Sequence, residues 1–227
     1  MQVTVFAPHP DDEIIGCGGS VVNWLRSGAE VSFVYLCNGD AGSQAMSRAE
    51  LGAVRKAEAT AGAAHLGVTD LVFLDQTDGC LAETRTLLTT LIDLIREKRP
   101  DVAYLPHATD GHPDHIVTHQ LVTKAAGIAA GPWWPESTGA PWAIDLQLAY
   151  EVWTPIQRPT HLEDTTDALD LQLEALSHHG SQLDTMPYDA FIRGLGSYRG
   201  ATLGAGRSAE AFEVLRLGTL PGRTPVS

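Results

Sequence analysis

Two short segments of this chain concentrate residue types that do chemistry. The first is His9-Pro10-Asp11-Asp12-Glu13, one imidazole and three carboxylates in five residues, directly after the apolar run VTVFAP. The second is Asp110-Gly111-His112-Pro113-Asp114-His115, about a hundred residues later, after the apolar run VAYL. Like charges crowded together repel, and folding alone gives no reason to put them there. A divalent metal does. Zinc takes imidazole nitrogen and carboxylate oxygen, and its catalytic sites use three protein ligands and keep one position for water. His9 and Asp12 can reach one ion from a strand-to-helix turn, and His115 can complete the set. Asp11 is then left beside the metal as a base for water. His112 is left as a protonated imidazole that, with the metal, can stabilise an oxyanion. The competing reading is a charged helix start, in which Asp12 and Glu13 complement the helix dipole at the surface. Two such segments in one chain weigh against it for Asp12. Glu13 is not needed as a ligand and keeps the surface reading.

These segments need elements that bring them to one place. Residues 2–8 read as a buried strand, and a helix runs from about 12 to 27 with Gly28 placed to end it. Residues 30–38 (EVSFVYLCN) form a second buried strand. Ser47 and Glu50 make a capping box before the helix that Gly67 closes. A short strand at 70–74, a helix at about 84–98 and a strand at 102–105 follow, and a further helix runs from about 115 to 130. Continuous apolar strands alternating with helices imply an α/β fold: a Rossmann-like, three-layer α/β/α arrangement around a mainly parallel sheet. Ligands in such folds sit beyond the carboxyl ends of the strands. Both charged segments fall at that edge, after the first and fourth strands. Farther on come a Pro/Gly/Trp loop at 131–142, a strand at 146–153, a helix at 165–179 and a strand at 211–217. Residues 186–207 are read as a loop, of no legible pattern, that helps set substrate selectivity. The expectation is one domain over 1–227, with a core at 1–130 and substrate loops and terminal elements at 131–227.

The pairing of HPDDE after the first strand with HPDH farther on resembles the PIG-L/LmbE-like family of zinc-dependent N-deacetylases. Arg55-Lys56-Ala57-Glu58 resembles the family's R-x-x-E, Asp78-Gly79-Cys80-Leu81 its D-G-x-L, and His179-Gly180-Ser181-Gln182 its H-x-S-Q. The resemblance implies hydrolysis of the acetamide of an N-acetylglucosamine-type amino sugar or glycoside, glycolipid, thiol-glycoside and antibiotic precursors among them. It implies one Zn2+ held by His9, Asp12 and His115, with Fe2+ or Co2+ as alternative occupants. It makes Asp11 the general base and puts His112 at the oxyanion or the leaving amine. Arg55 is expected near the acyl or acetate group, and Asp114 is expected to orient a ligand histidine.

Other residues carry weaker expectations. Asp110 is read as an acidic side chain at the pocket mouth. With the net charge of −13 it favours cationic substrates such as aminoglycoside-type or other antibiotic intermediates. Trp133 and Trp134, with Trp142, either stack on a sugar ring or pack their own loop. His65, His107, His119, His161 and His178 are read as structural or solvated, and His179 stands between the two. Gly16-Cys17-Gly18-Gly19 departs from a dinucleotide loop and fits close packing of helix on sheet.

The net charge argues against a nucleic-acid partner and an anionic membrane. No apolar run is long enough to span a bilayer, and MQVTVFAP reads as a strand rather than a signal peptide. The three cysteines show no CxxC spacing, and a reducing cytoplasm suits them. Assembly into a homo-oligomer is left open. Three rivals remain: an amidase for a larger acyl group or a cysteine-glycoside conjugate, a non-haem iron oxygenase, and a non-enzymatic metal-binding module. A free Asp11 argues against the last.

Overall fold

A computed structural model describes residues 1–218. Five parallel strands come first: β1 (Gln2–Ala7), β2 (Glu30–Cys37), β3 (Asp70–Gln76), β4 (Val102–Pro106) and β5 (Leu146–Tyr150). Between them run α1 (Asp12–Arg26), α2 (Arg48–Leu66), α3 (Arg85–Lys98) and α4 (Pro113–Ala129). The remaining elements are β6 (His161–Asp164), α5 (Leu169–Leu176), α6 (Gly180–Leu183), α7 (Tyr188–Gly200) and β7 (Ala209–Leu217). The strands form one sheet in the order β3-β2-β1-β4-β5-β7-β6, with β7 antiparallel to both neighbours.

The sheet is covered on both faces. Val5, Tyr35 and Tyr150 pack with α1, α2 and α5 on one side. Phe6, Val34 and Leu105 pack with Leu88, Leu91 and Ile95 of α3 and Leu121 and Ala125 of α4 on the other. Each such fully buried Leu, Ile or Val side chain stabilises the fold by about 1.5–3 kcal/mol. The order reverses at β1: the chain builds outward to β3, then returns to lay β4 against the free edge of β1. That switch point leaves a crevice beyond the strand ends, and the two charged segments follow the two strands that make it.

Local signals hold where they are strong. Ser47 and Glu50 form the capping box of α2, and Gly67 ends it at φ 90°. The close-packing reading of Gly16 also holds, since a Cβ there would overlap the Tyr150 ring. The second half departs further. The expected helix at 165–179 is shortened to Leu169–Leu176. The four-residue polar strand β6 went unread, and the unreadable 186–207 stretch contains α7. With three glycines in thirteen residues, α7 has poor intrinsic propensity and is held by packing on β7.

Candidate active site

Between β1 and α1 the chain turns sharply at Asp11, whose φ of 128° lies where residues with a Cβ are seldom found. Such backbone costs on the order of 1–3 kcal/mol and persists only when neighbours enforce it. They do so here. The Asp11 N–H donates to Glu13 Oε2 at 3.0 Å, and Arg55 Nη2 pairs with Asp11 Oδ1 at 2.9 Å. Arg55 also donates to the carbonyls of Pro10 at 2.5 Å and Gly39 at 3.2 Å. Tyr35 donates its hydroxyl to Glu13 Oε1 at 2.9 Å. Glu13 is fully buried, which corrects the surface reading. Its carboxyl, pushed up to about 8 by burial and by Asp11, props the turn from inside.

The turn delivers Asp12 between two imidazoles. Its Oδ2 lies 3.2 Å from His9 Nδ1 and 3.2 Å from His115 Nε2. The residues expected as ligands therefore converge from the end of β1 and the first turns of α1 and α4. Neither ring nitrogen of His115 makes a hydrogen bond among the described residues, although carboxylate oxygens of Asp12 and Asp110 lie 3.2 and 3.5 Å away. An orphaned imidazole nitrogen aimed at a buried carboxylate, with a second imidazole beside it, is a donor set that fits zinc. The charge balance agrees. Burial opposes charge on His115, yet Asp12 and Asp110 raise it to about 9. His9 is raised too, against its burial, by Asp114, Asp12 and Asp78. Asp12 is buried, yet His115 and His9 hold its carboxyl far below the usual range. Carboxylates that draw protons onto two imidazoles would hold a dication in their place, so metal binding would release protons.

Around this cluster sit carboxylates that orient it. Asp114 Oδ2 faces His9 Nε2 at 3.1 Å and accepts the Gly79 N–H at 2.7 Å, while its Oδ1 accepts the Leu81 N–H at 3.2 Å. Asp78 Oδ1 is 3.1 Å from the same His9 nitrogen. Asp110 is not at the pocket mouth, as its sequence position suggested, but buried beneath the first turn of α4. Its Oδ1 accepts the His112 N–H at 3.0 Å and lies 3.5 Å from His115 Nδ1, while its Oδ2 accepts the Trp153 N–H at 3.0 Å. The loop folds its peptide donors inward, and Asp110 is the acceptor that satisfies them.

His112 caps α4, and its Nδ1 accepts the Asp114 N–H at 3.2 Å. A neutral ring then carries its proton on Nε2. Burial and the neighbouring His9 and His115 lower its pKa, which favours a neutral N–H donor over the imidazolium expected from the sequence. Burial pushes the Asp11 carboxyl up to about 7 against the pull of Arg55, a value suited to accepting a proton near neutral pH.

These residues floor an open cleft of about 280 Å³. Arg55, Asp78 and Gln182 line one part of it; Trp153, Met186 and Tyr188 line another. Gln182 is placed by Glu58, whose carboxylate accepts the Ser181 N–H at 2.7 Å and hydroxyl at 2.6 Å. The R-x-x-E and H-x-S-Q stretches are thus two halves of one contact. His179 is fully buried, and neither ring nitrogen has a partner among the described residues.

Trp133 and Trp134 do not line the cleft. The 17 residues of α4 carry the chain about 25 Å back across the sheet, and the tryptophan loop sits at the opposite edge. There Trp133 is 76% exposed, Trp134 donates to Thr89 Oγ1 at 2.9 Å, and Trp142 donates to the Pro100 carbonyl at 2.9 Å. The cleft aromatics are Trp153 and Tyr188. The usable signal for Trp153 was its place just past a strand of the parallel sheet. No motif marked Tyr188.

Residues 4–126 match the family described as PIG-L: GlcNAc-PI de-N-acetylase. The chain belongs to the PIG-L family. Its relatives include the diacetylchitobiose deacetylase of Thermococcus kodakarensis, 30% identical over 80% of this chain and 70% of that protein. Another is the 1D-myo-inositol 2-acetamido-2-deoxy-α-D-glucopyranoside deacetylase of Streptomyces avermitilis, 31% identical over 66% of this chain and 60% of that one. This PIG-L-family chain thus spans less than two thirds of the second relative. Among solved structures, the N,N′-diacetylchitobiose deacetylase of Pyrococcus horikoshii superposes with a TM-score of 0.84 at 26% identity, covering 94% of this chain and 83% of its own. GalB, the 4-carboxy-2-hydroxymuconate hydratase of Pseudomonas putida KT2440, has a TM-score of 0.81 at 22% identity over 98% of this chain and 99% of its own, a likeness of fold. With named deacetylases among its relatives, the PIG-L-family chain is an N-deacetylase-type enzyme. No described helix is long and apolar enough to cross a membrane.

Proposed function

We propose that this chain is a zinc-dependent N-deacetylase acting on an N-acetylglucosamine-type group of an amino sugar or glycoside. One observation carries the reading: two adjacent carboxylates are turned to opposite tasks. Asp12 points into the pair His9 and His115, while Asp11 is held toward the cleft by Arg55. His9, Asp12 and His115 would hold the metal, which when bound polarises the acetyl carbonyl and acidifies water.

Asp11 takes the proton of the attacking water. His112 donates from Nε2 to the carbonyl oxygen as negative charge gathers there. Asp11, now protonated, returns the proton to the amine as the C–N bond breaks, leaving acetate and the free amino sugar. Arg55 keeps Asp11 in place and offers its guanidinium to the acetate carboxylate. Asp114, hydrogen-bonded to the outer nitrogen of His9, and Asp110, 3.5 Å from that of His115, would orient the two rings. We read the chain as one catalytic unit, because residues from both halves line the cleft. The activities for which the chitobiose and inositol-glycoside relatives are named support the sugar substrate. A preference for cationic substrates loses its local support, since Asp110 is buried.

The test is zinc content together with acetate release from a panel of N-acetylated amino sugars and glycosides. Zinc near one per chain with acetate released is the expected result. Absence of bound metal in every preparation would overturn the reading. Release of a longer acid in place of acetate would move the substrate to a larger acyl group.

A further inference from the structure

We propose that Gln172 of α5, held by Glu210 of β7, is a positioning residue for the turn at Asp11: through the backbone of α1 it aims Asp11 and Asp12. This rests on the deacetylase reading above and adds to it two residues that do not line the cleft.

Helix α1 is two helical segments joined at a break. Cys17 leaves helical backbone at φ −151° and ψ 20°. The segment before it, residues 12–16, is little more than one turn, too short to hold a direction by its own hydrogen bonds. It starts at Asp12 and is tied to Asp11, whose carbonyl accepts the N–H groups of Ile14 at 3.0 Å and Ile15 at 2.9 Å. With the break behind it, its direction has to come from neighbouring elements.

Gln172 supplies it from the side away from Glu13 and Arg55. The residue is 1% exposed, and its Nε2 donates to the Ile14 carbonyl at 2.7 Å and to Glu210 Oε1 at 3.0 Å. Both partners are acceptors, so the NH2 side of the amide faces α1. The peptide between Ile14 and Ile15 thus bonds Gln172 through its carbonyl and Asp11 through its N–H. Glu210 grips the other side of the break. Its Oε1 accepts the Gly19 N–H at 2.8 Å, and its Oε2 accepts the Ser20 N–H at 2.8 Å and hydroxyl at 2.6 Å. A carboxylate on the N–H groups that open the second segment caps it. Gln172 and Glu210 together fix the angle between the two segments. A Cβ on Gly18 would stand 2.9 Å from Gln172 Cγ, so a glycine leaves room where the amide enters. The aim matters because two adjacent carboxylates carry opposite tasks, and a misplacement of about 1 Å can cost on the order of 10²-fold in rate.

The experiment compares wild type with Gln172→Met, which keeps length and volume and removes both hydrogen bonds. Leu91→Ala, in the core on the opposite face of the sheet, controls for lost stability alone. With the methyl glycoside of N-acetylglucosamine, Gln172→Met is expected to lower kcat about 10- to 100-fold with KM within about twofold. The visible spectrum of the cobalt-loaded protein, which reports ligand geometry, should shift with it. Leu91→Ala, assayed where it is folded, should keep the wild-type spectrum and a kcat within about twofold. An unchanged kcat in Gln172→Met, or an equal loss in Leu91→Ala, would overturn the assignment. If Gln172→Met does not fold, Glu210→Gln takes its place. All the partners of Glu210 are donors, so the new NH2 must face one of them; kcat should fall at least about threefold, and no fall ends the proposal. If wild type releases no acetate, the hydrolase reading fails by itself and the cobalt spectra decide. If wild type binds no metal either, amide hydrogen exchange decides: faster exchange at residues 12–16 in Gln172→Met but not in Leu91→Ala supports the positioning role, and equal exchange in both rejects it.

Discussion

Asp11 and Asp12 are neighbours in the chain, and their environments separate them. Asp11→Asn is expected to lower acetate release by about 10²–10⁴-fold while zinc is retained. His115→Ala is expected to lose the metal itself, and zinc quantification on both variants checks the division of labour. Asp110 acts through the groups it holds. Asp110→Asn replaces one oxygen with an NH2 facing peptide N–H groups or His115 Nδ1, and zinc affinity should fall about 10- to 100-fold in a competition titration. His179 gives a pH prediction. Burial lowers its pKa to about 3 from 6.5, so below pH 6.5 the unfolded chain takes up a proton that the folded chain refuses. Its contribution is complete above pH 6.5 and is lost as pH falls toward 3. Relative to wild type, His179→Leu should gain about 2 kcal/mol in urea unfolding between pH 6.5 and 5.

Helix α1 depends on glycine where it meets the sheet. At Gly16 the Tyr150 ring and the Glu151 carbonyl occupy the place of a side chain. Gly16→Ala should therefore lower stability by about 1–3 kcal/mol, read as a lower urea midpoint at unchanged slope. The elements of the first half were legible because each carries its own punctuation: a capping box at Ser47, a C′ glycine at Gly67, and a strong apolar stripe in α3. The second half was less so. β6 is too short and polar to stand out, and α7 is glycine-rich, so tertiary packing rather than propensity makes it a helix. Nothing in the sequence marks α7, so nothing there places Tyr188, and the tryptophans nearer the second charged segment are the aromatics the sequence offers.

Across the whole molecule, the proposed metal site joins segments more than a hundred residues apart, from the end of β1 and the start of α1 to α4. A metal bound there stabilises only the folded chain, by about 4 kcal/mol when free zinc is a thousandfold above its Kd. Chelation should accordingly lower the thermal midpoint as well as abolish acetate release, and added zinc should restore both. The floor of the site was determined by the sequence itself. Its residues lie within a few positions of two strand ends, and the alternation of strands and helices already commits those ends to one edge of a parallel sheet. The walls were decided only by the tertiary structure. Whether Trp153 or Trp134 faces the cleft, whether Asp110 meets solvent or peptide N–H groups, and whether Glu13 is a surface charge or an inner prop depend on where distant segments return and what they bury. Spacing along the chain sets a turn, but burial and long-range contact set which way a side chain's chemistry is used.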